Sequence, residues 1–385
     1  MRIIQFVIFF SIVLTVHTLI NYYIFSRGLR SFEQGSNLRL AYIIGFWFLA
    51  ASFFAGRILE KIYLSHLSDF FTWAGSFWLA AMLYLFLAVF IIDILRLVNH
   101  FIPFFENFQH WLIFKKPQIL TISIASIVFL IVLAGHINAI FPRLKTLDID
   151  TGITTEGNKQ LRIIMASDIH LGTIISTKRV TRIVNMINKQ KPDLVLFAGD
   201  IVDEDLAPVI KQNLGAILGT IKAPLGVIGS TGNHEYIGGA EAAVNYLRNH
   251  NIIMLRDSAM KVTENVWVIG RDDIESLRFG GENRKALSQI MESIPEGNFV
   301  IVLDHQPRAI EEAAAAGAGL TLSGHTHHGQ LWPLNYITEA MFPLSWGHKM
   351  FGETHAYVSS GVGSWGPPVR IGNTPEIVLI TLNFD

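Results

Sequence analysis

The chain has 385 residues, of which 51% are hydrophobic and only 16% charged, and its formal net charge is -1. Soluble proteins average roughly 25% charged residues, so part of this chain is expected to lie outside water. The near-neutral balance gives no sign of nucleic-acid binding. The absence of cysteine excludes disulfides, thiolate metal sites and cysteine nucleophiles, and leaves any metal to oxygen and nitrogen ligands.

The apolar excess falls before about residue 141, in the runs Ile3 to Phe25, Leu40 to Ala55, Phe70 to Leu95 and Ile119 to Ile140. A helix needs about 20 apolar residues to cross about 30 Å of hydrocarbon. The first, third and fourth runs reach that length alone, and the second does so with flanking Leu38 and Ile58. Residues 1-141 are therefore expected to form a transmembrane region of about four helices in a cell membrane, with a bacterial one as the expectation. The first run is too long for the apolar part of a signal peptide, and no Ala-x-Ala-like site follows it. Tyr22, Tyr23, Trp47, Trp73 and Trp78 suit interfacial belts, with packing inside the bundle as the alternative for Trp47 and Trp78, and Asp93 with Arg96 reads as an interfacial pair. Arg2, Arg57, Lys61, Arg143 and Lys145 fall on the side of the termini, against Arg27, Arg30, Arg39, Arg96, Lys115 and Lys116 on the other. This slight imbalance leans toward cytoplasmic placement of the second set and an outward-facing C-terminal domain.

Residues 142-160 read as a linker, with Leu147 to Asp150 as a short strand already docked on the following domain. From residue 161 to 385 short apolar strands alternate with helical stretches. Strands are expected at Leu161-Ala166, Asp193-Ala198, Leu225-Ser230, Val266-Ile269 and Asn298-Leu303, with another at Gly319-Leu322. Helices are expected at Thr177-Gln190, Ala207-Thr220, Ala240-His250 and Ile310-Ala316. The last strands, Ala356-Ser359 and Glu376-Asn383, have no helix between them. The pattern predicts a mixed α/β fold with a partly antiparallel sheet.

Chemistry gathers directly after the strands. Ser167-Asp168-Ile169-His170 follows the first, Gly199-Asp200 the second and Gly232-Asn233-His234-Glu235 the third. Asp304-His305 follows another, and Gly324-His325-Thr326-His327-His328-Gly329 ends the series. Ligand sites in α/β sheets collect beyond the strands' carboxyl ends. Each motif alone is weak; all five after buried strands point to one centre. An anionic phosphoester repels a nucleophile, and two cations about 3.5–4 Å apart relieve that repulsion and acidify bound water. Asp, Asn and His donors favour Mn, Fe or Zn. The sequence thus implies two divalent metal ions, with Mn the first expectation.

Asp-x-His, Gly-Asp, Gly-Asn-His-Glu, a lone His and Gly-His-x-His together resemble the calcineurin-like metallophosphoesterase superfamily, over roughly Leu161 to Asn383. Gly-His-Thr-His-x-Gly-Gln, Trp365-Gly-Pro-Pro-Val-Arg370 and Pro375-Glu-Ile-Val-Leu379 look like its bacterial membrane-associated branch. That branch resembles phosphodiesterases and UDP-2,3-diacylglucosamine pyrophosphohydrolases. The resemblance implies two facing mixed sheets flanked by helices. It also implies one metal on Asp168, His170, Asp200 and His327, and a second on Asp200, Asn233, His305 and His325, with Asp200 bridging. His234 matches the catalytic histidine, with Glu235 as its hydrogen-bonding partner. His328, where the branch often has Gly, reads as a solvent-facing side chain or a substrate contact. Arg370 is a candidate phosphate contact or an ordinary surface arginine, and Gly270-Arg-Asp-Asp273 a structural turn.

The expectation is a membrane-anchored metal-dependent phosphoric ester hydrolase. The competing class is a catalytically weak membrane scaffold that keeps the fold, and the completeness of the ligand set argues against it. A transporter is disfavoured because the apolar runs carry no matched broken or charged segments. The residues are equally compatible with a phosphodiester, a pyrophosphate, a nucleotide or a phospholipid. Two apolar segments after the histidine turn, with Trp332, Tyr336, Phe342 and Trp346, suggest a lipid-linked substrate held near the headgroups. Oligomeric state leaves no signal in the sequence.

Overall fold

The computed structural model describes residues 3–102, 116–279 and 283–385, with the side chains of residues 3–6 and 9 also outside it. Arg2 and Lys115 of the charge comparison lie outside the described residues. The chain divides into two compact units, Met1–His136 with Gly366–Val369, and Ile137–Trp365 with Arg370–Asp385.

The first unit contains long helices: α1 (Ile3–Leu29), α2 (Asn37–Ile62), α3 (His66–Phe101) and α4 (Pro117–Ile140). Among the described residues, three of them, α2, α3 and α4, are long and apolar enough to cross a membrane. The expectation of four spans is corrected on this point. The polar groups of α1 are spent on its neighbours: His17 Nε2 lies 3.0 Å from the Ala50 carbonyl, and Asn21 Oδ1 accepts from Trp78 Nε1 at 3.0 Å. Trp78 is therefore a packing residue of the bundle and not part of a belt. Ser36 caps α2, and Ser65 with Ser68 forms a reciprocal capping box at α3, which satisfies backbone donors that would otherwise be orphaned.

The second unit is a two-sheet α/β sandwich. Its strands are β1 (Arg143–Asp150), β2 (Gln160–Ala166), β3 (Leu194–Ala198), β4 (Val227–Ser230), β5 (Ile252–Leu255) and β6 (Ser258–Lys261). They continue with β7 (Val266–Gly270), β8 (Phe299–Leu303), β9 (Leu320–Ser323), β10 (Gly347–Phe351), β11 (Thr354–Val358) and β12 (Glu376–Asn383). One sheet runs β1-β12-β2-β3-β4-β5 and the other β10-β11-β9-β8-β7-β6. Both are mixed: β12 pairs antiparallel with β2, whereas β2, β3, β4 and β5 are parallel. β1 enters the first sheet beside β12, so the docked strand foreseen in the linker is longer than its sequence suggests.

Side chains alternate across a strand, and that alternation builds the layers. Ile163 and Met165 point between the sheets with Leu196, Ile301, Leu303 and Leu322. Ile164 and Ala166 point the other way, onto Val180, Ile183, Val184 and Ile187 of α5 (Thr177–Lys189). Each such fully buried aliphatic side chain contributes about 1.5–3 kcal/mol of transfer free energy.

The helix expected over Ala207-Thr220 is two, Ala207–Lys211 and Leu214–Leu218, because Asn213 between them is left-handed, with φ 51°. The edge strands β6 and β10 were not foreseen. They are largely exposed or half-buried, so they carry no apolar alternation to read.

Candidate metal centre

Strands β2, β3 and β4 are parallel neighbours in one sheet, and β8 and β9 are parallel neighbours in the other. Their carboxyl ends therefore open on a common edge, and the five motifs meet there. Non-glycine residues rarely adopt a left-handed backbone. Asp168, His170, Asp200, His325 and His327 all do so, with φ between 46° and 69°. Backbone strain of this kind persists where surrounding structure enforces it and clusters at functional sites. The packing leaves no slack: a Cβ on Gly324 would lie 2.2 Å from Asp168 Oδ2, and one on Gly232 would lie 2.2 Å from Asp200 Oδ1.

Two groups of side chains could each hold an ion, Asp168 with His170 and His327, and Asp200 with His305 and His325, and a third, His170 with Asp203 and His234, shares His170 with the first. Ligand atoms bonded at about 2.0–2.2 Å to one ion stand about 3–3.5 Å apart. His170 Nε2 and His327 Nε2 are 3.1 Å apart, and His327 Nε2 is 3.5 Å from Asp168 Oδ1. In the second group His305 Nε2 lies 3.0 Å from Asp200 Oδ2, and His325 Nδ1 lies 2.9 Å from Asn233 Oδ1. Asp200 Oδ2 is also 3.8 Å from His170 Nε2, so one carboxylate oxygen faces histidines of both groups. His305 Nε2 and His170 Nδ1 are buried with no hydrogen-bond partner among the described residues. Burying a polar atom unpaired is costly, and a cation is a partner that suits the histidine at Asp200. His305 Nδ1 donates to the Ala198 carbonyl at 2.8 Å, which leaves Nε2 as the nitrogen turned to Asp200. The residues present fit a metal site.

The electrostatics agree for three of the four histidines: burial would lower His305 too, but the Asp200 and Asp168 carboxylates outweigh it and hold it well above its ordinary value. Burial lowers His170 and His325 to about 3 and holds His327 well below its ordinary value. These imidazoles are neutral near pH 7, the form that can ligate a metal. Burial alone would raise Asp200, but His305 and His234 outweigh it and keep its carboxyl well below the usual range. Asp168 is raised by burial to about 6.

His234 faces the same edge, with its ring 4.6 Å from that of His170. Its Nδ1 lies 3.0 Å from Asp203 Oδ1. Burial lowers its pKa, but the Asp200 and Asp203 carboxylates override this and raise it to about 9. The expected partner Glu235 is corrected. Its carboxylate accepts from the backbone N–H groups of Gly232 (2.7 Å), Val202 (2.8 Å) and Asp200 (3.1 Å). Neighbours on the short helix Asn233–Gly238 point in different directions, so Glu235 braces the loops while Asp203 holds the ring. Asp203 was missed; its only signal is the spacing Asp200-Ile-Val-Asp203.

Two further expectations are corrected. Arg370 is 1% exposed, and its guanidinium donates to the carbonyls of Gly361 (3.2 Å), Gly363 (2.6 Å) and His327 (3.3 Å). It is neither a surface residue nor free for phosphate; it pins the loop that carries His327. His328 does not face open solvent: its side chain is only 13% exposed. Its ring lies 5.3 Å from that of Trp346, and its Nδ1 is 3.2 Å from Ser345 Oγ. The turn at Gly270 is structural: Arg271 donates to Asp257 (2.9 Å), Thr231 to Asp272 (2.7 Å) and Gln306 to Asp273 (3.1 Å).

A family model described as calcineurin-like phosphoesterase matches residues 161–329. An uncharacterized metallophosphoesterase of Aquifex aeolicus is 31% identical over 259 residues, 66% of this chain and 98% of that protein. A transmembrane protein with metallophosphoesterase domain from Danio rerio is 34% identical over 262 residues, 64% of this chain and 59% of that one. Its namesake from Bos taurus is 31% identical over 256 residues, 63% of this chain and 57% of that one. The chain thus spans rather more than half the length of these two transmembrane relatives. It belongs to the calcineurin-like metallophosphoesterase family, whose members are metal-dependent hydrolases of phosphoric esters.

Proposed function

We propose that this chain is a membrane-anchored phosphoesterase with a dinuclear centre that cleaves the phosphodiester or pyrophosphate bond of a lipid-linked substrate. The observation that carries the reading is Asp200 Oδ2, set between His305 at 3.0 Å and His170 at 3.8 Å. One ion would be held by Asp168, His170, Asp200 and His327, the other by Asp200, Asn233, His305 and His325. Bound there, Mn, Fe or Zn neutralises the phosphoryl charge and supplies hydroxide near neutral pH. His234, charged at neutral pH and oriented by Asp203, offers a proton or positive charge to the leaving oxygen.

The lipid part rests on the surface after the histidine turn. The helix Asn335–Met341 buries none of its residues. Trp332 is 49% exposed, Tyr336 61%, Ile337 54% and Met341 56%. Clustered exposed apolar side chains mark an interaction surface, and aromatic ones suit a bilayer interface. Two of the aromatics singled out in the sequence do other work. Phe342 is buried, its ring 5.8 Å from that of His325, and Trp346 Nε1 donates to Glu376 at 3.2 Å. The test therefore replaces Trp332 and Tyr336 with Ser. Hydrolysis of a lipid phosphoester such as UDP-2,3-diacylglucosamine is expected to fall about tenfold or more, with a soluble bis-aryl phosphodiester cleaved as before. Equal loss on both substrates would assign these residues to the fold and remove the lipid reading.

The membrane reading rests on the three apolar helices. Arg27, Arg30 and Arg39 near the α1–α2 connection favour a cytoplasmic face for it. With α2, α3 and α4 crossing after that connection, the hydrolase domain then faces outward. Protease added to intact cells is expected to digest the domain; full protection would place it inside.

A further inference from the structure

The helical unit holds a cavity of about 580 Å³ between α1, α2, α3 and α4, well inside the size range of ligand sites. α4 is tied to its neighbours near both ends and is buried between them at Val128 and Val132. Near its start, Ser31 of the α1–α2 connection reaches the Pro117 carbonyl (3.0 Å) and Thr121 Oγ1 (2.6 Å). Near its end, the His136 ring meets those of Phe77 (4.9 Å) and Trp73 (6.1 Å).

The lining is sharply divided. One part is apolar, with Phe46, Leu49, Trp78, Leu85 and Ile124. The other carries Arg27, Arg30 and Arg96, and Asp93 is the sole acidic residue of the described lining. Asp93 accepts from Tyr23 (2.7 Å) and Arg27 (2.8 Å), with Arg96 at 3.3 Å. Three guanidiniums against one carboxylate leave a formal charge of +2 (3 − 1) on this part of the lining. Arg30 and Arg96 are exposed and Arg27 is half-buried, so this charged part is open to a ligand. Basic pockets between membrane helices are matched by anionic lipid headgroups.

We propose that this cavity is a binding site for one anionic phospholipid. Its phosphate meets Arg30 and Arg96, with Arg27 held in place by Asp93, and its acyl portion lies along Phe46, Trp78 and Leu85. All of its described lining belongs to the helical unit, so the proposed occupant is a lipid bound to the anchor. This rests on the reading of the helices as membrane-spanning.

Gly45 lines the cavity, and a Cβ there would meet nothing within 4 Å. Gly45→Phe therefore places a ring at the cavity from a position with room for its Cβ, and the double variant Arg30→Ala/Arg96→Ala removes charge while keeping the Arg27–Asp93 contact, at the loss of the 3.3 Å contact from Arg96 to Asp93. The experiment is native mass spectrometry of the full chain in detergent, with dioleoylphosphatidylglycerol and dioleoylphosphatidylcholine added in equal amounts. One phosphatidylglycerol per chain is expected, favoured about tenfold or more over phosphatidylcholine. The preference should fall to near parity in the double variant, and the adduct should vanish in Gly45→Phe while that variant melts at the wild-type temperature. Equal retention of both lipids by the wild type would overturn the site. So would wild-type selectivity in both variants, or displacement of the lipid by inorganic phosphate. Release of the chain from membranes by carbonate without detergent would instead overturn the membrane reading beneath it.

Discussion

Asp200→Ala is expected to abolish phosphoester hydrolysis and to take bound metal from about two ions per chain toward none. Asp200 is 2% exposed, and its Oδ2 faces His305 and His170 while its Oδ1 accepts from the His234 backbone N–H at 2.9 Å. One side chain thus faces both groups of histidines and holds the loop carrying His234. Its loss leaves two cations, each held by incomplete ligand sets, with no anion between them. The measurement is metal content by mass spectrometry together with turnover of a bis-aryl phosphodiester. Two retained ions and normal turnover would mean that the carboxylate bridges nothing. Asp200→Asn separates charge from shape: it keeps the backbone contact and should still lose most metal.

His234→Ala is expected to keep its metal and lose about 10²–10⁴ in turnover, the range of a positioned acid or base. The ring lies 4.6 Å from that of His170, and its Nδ1 is 3.0 Å from Asp203 Oδ1. Asp203→Asn gives the finer result. The His234 pKa of about 9 is raised chiefly by Asp200 and then by the Asp203 hydrogen bond and charge. Without the Asp203 charge it falls. Because the acting form is the protonated one, activity lost as pH rises through the His234 pKa should be lost at lower pH in the variant. An alkaline limb that stays in place would show that Asp203 does not tune His234. Collapse of metal content in His234→Ala would make His234 a ligand instead of the proton donor.

The site was more legible in the sequence than the fold around it, for a local reason. Each ligand follows directly after a buried strand, so Asp168, Asp200, Asn233, His305 and His325 could be read from short motifs without knowing how the strands meet. Partners chosen by three-dimensional packing were not. Nothing local distinguishes Asp203 from Glu235 as the residue facing His234. The outcome depends on the Glu235 carboxylate finding three backbone donors first. Arg370 carries the same lesson. An arginine near the chain's end reads as exposed, and only the convergence of the Gly361, Gly363 and His327 carbonyls draws it inside.

The edges of the second sheet were illegible because apolar alternation disappears where a strand is covered on neither face, as in β10. In the helical unit, hydropathy located the long helices. It did not show that His17, Asn21 and Trp78 are spent on contacts between helices.

The central claim is a dinuclear phosphoesterase centre, and stoichiometry with reconstitution tests it most directly. The full chain, purified in detergent, is stripped with a chelator and titrated with Mn²⁺ while bound metal and hydrolysis of a bis-aryl phosphodiester are followed together. The account predicts about two ions per chain, with activity absent from the stripped protein and restored only as the second ion binds. Full activity with one ion bound, or hydrolysis that survives complete removal of metal, would contradict it.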